Sequence, residues 1–471
     1  MLQLGGVIKR NNTQELRIGS AHSFDTYSYQ LGLSREHTDG FVLADDFIPT
    51  PFENGGVRNS SAKTQYNLMG SINADIFTFH KLGLDIGYSG MDKKELPASI
   101  YERRFRFYED WKRYHATASG EFILSETLLL TNMLAFDGGG DRYLEYNDPL
   151  LQSLNVDSQM QNRSLAIAPR LRWQREQSGT WDWGFRYELQ GSKRKDTSDY
   201  PDWTDNTVQN TQVFTQYEAK PLTNLLLTTA IGISGNQNDR ITKPVWNLEP
   251  AVGLVFSPNS NAKTSLAVGR NSANPTLRQL FSYSKGNPYL KTQNSLKAEL
   301  SHESAVVWNF INFSTSLFYN DTRDLIDLYN GRYANIYEVQ SYGTEIVMGM
   351  APLNLWSLEA EYAYLDYYKN SDYRLTETPK HSLTITNRLS LPAKSIIQLS
   401  SHYKGERFSQ DDAGGYHTLS PYWRQDALFS IPWRKLKLTL GLENILDADY
   451  QGEYGFPEAG RNFSIGIEAE I

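Results

Sequence analysis

Between Gln65 and Ile76 the side chains change character at every step. Tyr66, Leu68, Gly70, Ile72, Ala74 and Ile76 are apolar or small, whereas Gln65, Asn67, Ser71, Asn73 and Asp75 are polar, with Met69 the one exception. A strand sends successive side chains to opposite faces, so this spacing predicts one greasy face and one polar face. The pattern returns along most of the chain. Leu82, Leu84, Ile86 and Tyr88 alternate with Gly83, Asp85, Gly87 and Ser89. Leu165, Ile167, Pro169, Leu171 and Trp173 alternate with Ala166, Ala168, Arg170, Arg172 and Gln174. After the link Gln177-Ser178-Gly179-Thr180, the row Trp181, Trp183, Phe185, Tyr187 and Leu189 opposes Asp182, Gly184, Arg186, Glu188 and Gln190. Such aromatic rows beside Arg and Glu suit a wall with lipid on one side and a polar lumen on the other, with aromatic girdles at the interfaces.

The connections alternate in length. Short links fall at Ser125-Glu126, Pro221 to Asn224, Ser257 to Asn261, Pro352 to Asn354, Pro392 to Lys394 and Trp433 to Lys435. Between them lie long polar stretches, including Gly90 to Trp111, Asp137 to Gln161, Lys193 to Val208, Asn271 to Pro288, Lys369 to Thr378, Phe408 to Leu419 and Ala448 to Gly460. Short turns facing the periplasm and long loops facing outside are the mark of a bacterial outer-membrane barrel. The expectation is an all-β, transmembrane antiparallel β-barrel of about 22 strands, each of roughly ten residues, the length a tilted strand needs to cross the hydrocarbon layer. The first strand begins near Leu2 and the last ends at Ile471, so residues 1–471 are expected to form a single barrel domain with no signal peptide and no plug of their own. A barrel this wide is not filled by its own side chains.

Composition narrows the alternatives. The 471 residues include 29 Tyr, 21 Phe and 10 Trp, no Cys, and a formal charge of -8. No run approaches the roughly 18 apolar residues of a membrane helix. Without Cys there is no disulfide framework, thiolate zinc site or redox thiol. The scattered Lys and Arg leave no basic stripe for nucleic acid. Catalysis is poorly supported: the eight His (His22, His37, His80, His115, His302, His381, His402 and His417) are dispersed, and neither Gly-x-Ser-x-Gly nor His-Glu-x-x-His occurs.

The distal half carries a resemblance. Leu442-Glu443-Asn444-Ile445-Leu446-Asp447-Ala448-Asp449-Tyr450 followed by Gly455-Phe456-Pro457-Glu458-Ala459-Gly460-Arg461-Asn462-Phe463 resembles the closing hairpin of TonB-dependent outer-membrane receptors. Asn274-Pro275-Thr276-Leu277-Arg278-Gln279-Leu280-Phe281 with Gly286-Asn287-Pro288-Tyr289-Leu290-Lys291 is similar to the family's Asn-Pro block, and Tyr333-Ala334-Asn335 with Ser341-Tyr342-Gly343-Thr344-Glu345 to another of its segments. The Asn-Pro block lacks the His that haem receptors of this family tend to carry there. The chain departs from the pattern at Asn274-Pro275, at Thr292 and Gln293, and in ending on Ile471 where Phe or Trp is usual. The resemblance implies a receptor in the outer membrane of a Gram-negative bacterium, surrounded by lipid and lipopolysaccharide, that takes up a scarce large solute such as a ferric siderophore or a cobalamin-like corrinoid. It implies a plug, or a plug-like protein, in the lumen and the TonB energy-coupling complex as partners. A plugless passive pore and a docking barrel for another protein stand as alternatives.

Candidate ligand-binding residues are Tyr143, Trp203, Arg278, Phe281 and Tyr283, with no cofactor or metal expected. The clusters Tyr200-Pro201-Asp202-Trp203 and Phe281-Ser282-Tyr283 can stack on an aromatic ligand or cap one another. Asp137 to Asp148, with Asp141, Glu145 and Asn147, reads as a flexible acidic loop in preference to a calcium site, since its spacing fits no defined calcium loop. Arg170, Arg172, Arg186, Glu188, Glu249, Glu299, Glu468 and Glu470 read as polar lumen wall. In the closing hairpin, Asn444 and Asp447 are suited to hold loop backbone, and Gly460 to supply a permissive backbone.

Overall fold

The computed structural model describes residues 2–77, 80–175, 179–197, 201–240, 243–283, 285–307, 310–336, 338–369 and 374–471. Gln177, Ser178 and Tyr200 lie outside the described residues. Within them, one antiparallel sheet of 23 strands closes on itself. Leu154–Ile167 and Arg170–Arg175 are two halves of one crossing, interrupted at Ala168-Pro169, because both pair with Leu128–Tyr146 and with Gly179–Asp196. Pro has no amide to give the ladder, and the break falls where it stands. The wall therefore makes 22 crossings. Its seam joins Leu2–Lys9 to Asn462–Glu470, from Gln3 opposite Glu470 to Lys9 opposite Ser464. Reciprocal amide bonds of 2.9 Å between Leu2 and Ile471 fasten its inner edge.

The alternation maps onto the two faces as the spacing predicts. Leu165 and Ile167 are 48% and 39% exposed on the outside, and Trp181, Trp183 and Trp173 stack at 6.0 and 6.4 Å in an outward belt at the periplasmic end. On the lumen side of the same strands, Asp182 is 2% exposed and accepts from both Arg170 and Arg172 at 3.0 Å. Met69 faces the lumen with Asn67 and Ser71, against Gly32 of the neighbouring strand.

Strand height varies round the wall. Phe105–Ser125 has 21 residues and Leu128–Tyr146 has 19, whereas Leu2–Lys9 and Leu436–Glu443 have 8 each. About ten residues suffice to cross the bilayer, so the tall strands stand well above it. This corrects the reading of Asp137 to Asp148 as a flexible loop. The ladder runs on to Tyr146 and the next strand begins at Leu154, leaving only 147–153 as connection. Above the membrane both faces meet water and polar groups, so hydropathy stops alternating while the backbone pairing continues. Asp141 and Glu145 turn inward to Arg113 and Arg104, whereas Asn147 caps its own turn through Ser153, so the three do not converge on a cation.

The outer connections pack into small cores. Leu43, Phe47 and Ile100 bury one another between connections 39–62 and 96–104. Val208, Leu280, Phe281 and Leu290 form a second cluster, and Ile336 with Val339 a third. The mouth of the barrel is thus a folded layer resting on the wall.

Candidate functional site

The stretch 274–292 is shaped by its own sequence. Thr276 caps the short helix Leu277–Phe281: its hydroxyl accepts the Gln279 amide at 3.2 Å while the Gln279 side chain accepts the Thr276 amide at 2.9 Å. This reciprocal box fixes the helix start. Asn274 ties to Asn210 at 3.0 Å and to Thr292 at 2.9 Å, closing the ends of the stretch on the wall. Leu280 and Phe281 then face inward onto Val208, and Arg194 donates to the Phe281 and Ser282 carbonyls at 3.0 and 3.1 Å. Asn287 and Lys291 are held by the backbone of Tyr333 and the side chain of Asn335. Two of the segments noted in the sequence are thereby one structural unit.

This unit sets Arg278 facing the tall wall. A register shift at Glu109 leaves Arg106 and Tyr108 on the lumen face with Trp111 and Arg113, opposite Glu145, Tyr143 and Asp141. The rings of Tyr108 and Tyr143 meet edge-on at 5.9 Å. Arg278 lies within electrostatic reach of Tyr108 and Asp141. Tyr143 donates to Glu145 at 2.6 Å, and Arg104 grips the same carboxylate with two bonds of 2.9 Å. Arg104 also reaches Asp412 at 3.1 Å, which Lys285 approaches at 3.6 Å. Glu453 comes from the closing hairpin; burial, then the charge of Glu377, push its carboxyl above the usual range against the pull of Lys285 and Arg106.

Of the five candidates, Tyr143 and Arg278 share the Tyr108 neighbourhood. Phe281 and Tyr283 are joined through Arg194, whose guanidinium stands 5.7 Å from the Tyr283 ring centroid. Phe281 is buried, so its ring holds the helix in place. Trp203 stands apart, half exposed at the rim before Thr204–Leu222. Arg104, Arg106, Tyr108 and Lys285 escape sequence reasoning. The one available signal is the doubled Arg/aromatic spacing in Arg106, Tyr108, Trp111 and Arg113, which a bulge reconciles with a single face.

Beside this patch the closing hairpin locks to connection 39–62. Asn444 donates to the Ala448 and Ala459 carbonyls at 3.0 and 3.1 Å, and Asp447 accepts the Asp45 amide at 2.9 Å. Burial opposes ionisation of Asp447, but the Asp45 and Arg461 amides and the Arg461 charge outweigh it and hold the carboxyl below its usual range. Gly460 departs from expectation. Its φ is not positive; the left-handed residues are Asn444 and Asp447 (φ 49° and 53°), and Gly460 is required because a Cβ would overlap the Ala44 backbone.

A closed barrel of 22 crossings with tall outer strands and a folded mouth defines an outer-membrane receptor barrel. The family model described as TonB dependent receptor-like, beta-barrel, matches residues 6–445, and the chain belongs to that family. Solved structures agree in fold. The FrpB iron transporter from Neisseria meningitidis (F3-3 variant) is 11% identical with a TM-score of 0.81, over 99% of this chain and 81% of that one. The copper transporter OprC is 12% identical with a TM-score of 0.83, over 100% and 82%. The siderophore receptor PiuA from Acinetobacter baumannii is 13% identical with a TM-score of 0.77, over 99% and 81%. The protein is a TonB-dependent receptor barrel of the Gram-negative outer membrane, and its family implies partnership with a plug and with TonB.

Proposed function

We propose that the mouth captures a large anionic metal chelate of the ferric siderophore class, which a plug in the lumen and the TonB energy-coupling complex then carry inward. One barrel domain over residues 1–471 serves as the conduit. A single observation carries this reading: Arg104 and Arg106 at the start of the tall strand and Arg278 and Lys285 from the stretch 274–292 converge with the phenols of Tyr108 and Tyr143 on one lumen-facing patch. Guanidinium forks and phenols suit the oxygen-rich, negatively charged shell of a ferric chelate. Arg278 and Tyr143 contact the chelate; Tyr283 backs the patch through Arg194, Phe281 keeps the helix seated, and Trp203 meets ligand at the rim. The solved relatives named for iron and siderophore transport support the same class.

The test is titration of the purified protein with a ferric tris-catecholate, a ferric hydroxamate and cyanocobalamin, followed by tryptophan quenching. The anionic catecholate should bind best, and Arg278→Ala should weaken it by about tenfold or more, the scale of one charge-assisted contact. Equal affinity of native protein and variant for every chelate would overturn the reading. A large constant conductance in single-channel recording, indifferent to added chelate, would favour a passive pore.

A further inference from the structure

Below the stretch 274–292 the wall is not laddered throughout. Val245–Asn259 pairs with Leu225–Asn238 as far as Val245, and Ala262–Ala273 pairs with Gln293–Val307 as far as Ala273. The ladder between Val245–Asn259 and Ala262–Ala273, however, ends at Ala251 opposite Gly269, so 245–250 and 270–273 pair only with their other neighbours. Pro250 stands at the break and has no amide hydrogen with which to carry the ladder on. Outward residues run from Phe256, Leu254 and Val252 to Leu248 and Trp246, the last two 49% and 55% exposed. The break therefore lies inside the apolar belt, in the half of it nearer the mouth.

A side-chain clasp closes the gap on the lumen side. The Glu249 carboxylate accepts from Ser234 at 2.9 Å and Gln212 at 3.4 Å on one side of it, and from the Ser272 amide at 3.1 Å and the Ser272 hydroxyl on the other. The Ser272 amide thus goes to a side chain instead of a strand carbonyl. Gly232 makes room, since it stands opposite Glu249 and a Cβ there would come within 3.4 Å of the carboxylate. On the lipid side the flanking side chains lean away. The Trp246 ring lies over Gly235, where a Cβ would overlap it, and Arg270 turns to Asn294 at 3.3 Å. Asn247, 8% exposed beside the gap, has a side-chain nitrogen with no partner among the described residues.

Parting a ladder inside a bilayer exposes backbone groups to a medium that cannot hydrogen-bond them. Parting this segment breaks side-chain bonds that face the aqueous lumen, so it is the easier place to open. Whatever lies in the opened gap has a polar end among Asn247, Glu249 and Ser272 and an apolar end at hydrocarbon depth. We propose that the gap is a lateral portal for the acyl chain of an amphiphilic ligand, with Glu249 as its clasp and Asn247 donating to the carbonyl that joins chain to headgroup. Ala262–Ala273 leads directly into 274–292, so the strand whose edge is free carries Arg278 above it. The headgroup as a metal chelate rests on the proposed capture function; the portal does not.

Native protein in lipid nanodiscs, without ligand, tests the portal by hydrogen exchange. Peptides covering 245–250 and 270–273 should exchange at least about tenfold faster than their laddered partners at the same height, 231–236 and 293–296. A lock then tests the occupant. Pro250→Cys with Arg270→Cys, in a chain without Cys of its own, places a thiol pair at the next positions in register, closed by oxidation and freed by reductant. The probes are a ferric catecholate with and without a dodecanoyl tail. Reduced protein should bind the tailed form at least about tenfold more tightly, from burying the chain. Oxidised protein should lose that gain and keep its affinity for the tail-less form, both retaining the heat-modifiable mobility of a folded barrel. Exchange in the gap segments no faster than in their partners, or oxidised protein that keeps the gain, overturns the proposal. If neither chelate binds native protein, the capture reading fails, and the exchange measurement alone decides the portal.

Discussion

The two halves of the mouth are built on opposite economies of charge. Where the closing hairpin meets connection 39–62, the central ion pair is buried: Glu53 and Arg58 have side chains 0% and 3% exposed, and Arg58 also donates to the Ala98 carbonyl. Thr50 reaches the Ile100 carbonyl at 2.6 Å, and the Ile100 amide reaches Gly455 at 2.8 Å. Around Tyr143 and Arg278, ions are many, part-exposed and shared among several partners, as Asp412 is between Arg104 and Lys285. A buried pair with few alternatives fixes one conformation. A hydrated network can exchange partners at small cost, which is what a surface that must accept and release a charged solute requires.

The largest contrast should appear on removing one ion from each half. Glu53→Ala leaves the Arg58 guanidinium buried without its carboxylate, and breaking such a pair costs about 3–5 kcal/mol. The expected outcome is local opening of 39–62, seen as new cleavage there in limited proteolysis of the intact barrel. A segment that stays protected would mean that the lock does not depend on this pair. In the other half, Tyr143→Phe removes one donor from a Glu145 that Arg104 still grips with two bonds. The protein should lose about 1 kcal/mol or less in thermal unfolding, while its affinity for the anionic chelate falls severalfold. A fall in melting temperature as large as that of Glu53→Ala would erase the distinction between the halves.

The same contrast explains what the chain discloses before it folds. The wall is legible because lipid enforces one rule at every second residue: Leu165, Ile167, Trp181 and Trp183 could hardly be polar, nor Asp182 lie on the other face. Asn444 and Asp447 are legible as turn residues, and both hold backbone. Gly460 is the right residue for a different reason, since close approach to Ala44 cannot be read from local sequence. Tyr143 is recognisable as an aromatic ligand candidate, but not as a strand residue, because above the bilayer the environment no longer distinguishes the two faces. Arg106 and Tyr108 stay hidden behind the bulge at Glu109. Glu53 and Arg58 lie in a stretch with no periodicity at all, and only the fold brings Ala98 to them.

The smallest effect is a titration at the join between the halves. His417 lies flat on Tyr454, ring centroids 3.6 Å apart, and its Nε2 is 2.7 Å from Asp411. That hydrogen bond, with the Gly415 and Ala413 amides, holds the Asp411 carboxyl below its usual range. A carboxyl depressed in the folded state stabilises above its unfolded value, about 3.9, and that contribution is lost as pH falls through the lower folded value. Docking of 405–421 on the closing hairpin should therefore be constant from pH 7 to about 5 and loosen below about 4. Because the chain has no Cys, spin labels at Ala413→Cys and Glu102→Cys report this cleanly: their distance distribution should broaden only in acid. Asp411→Asn should broaden it at every pH. Broadening that begins near neutral pH, or an Asp411→Asn variant that still narrows as pH rises, would show that another group sets the join.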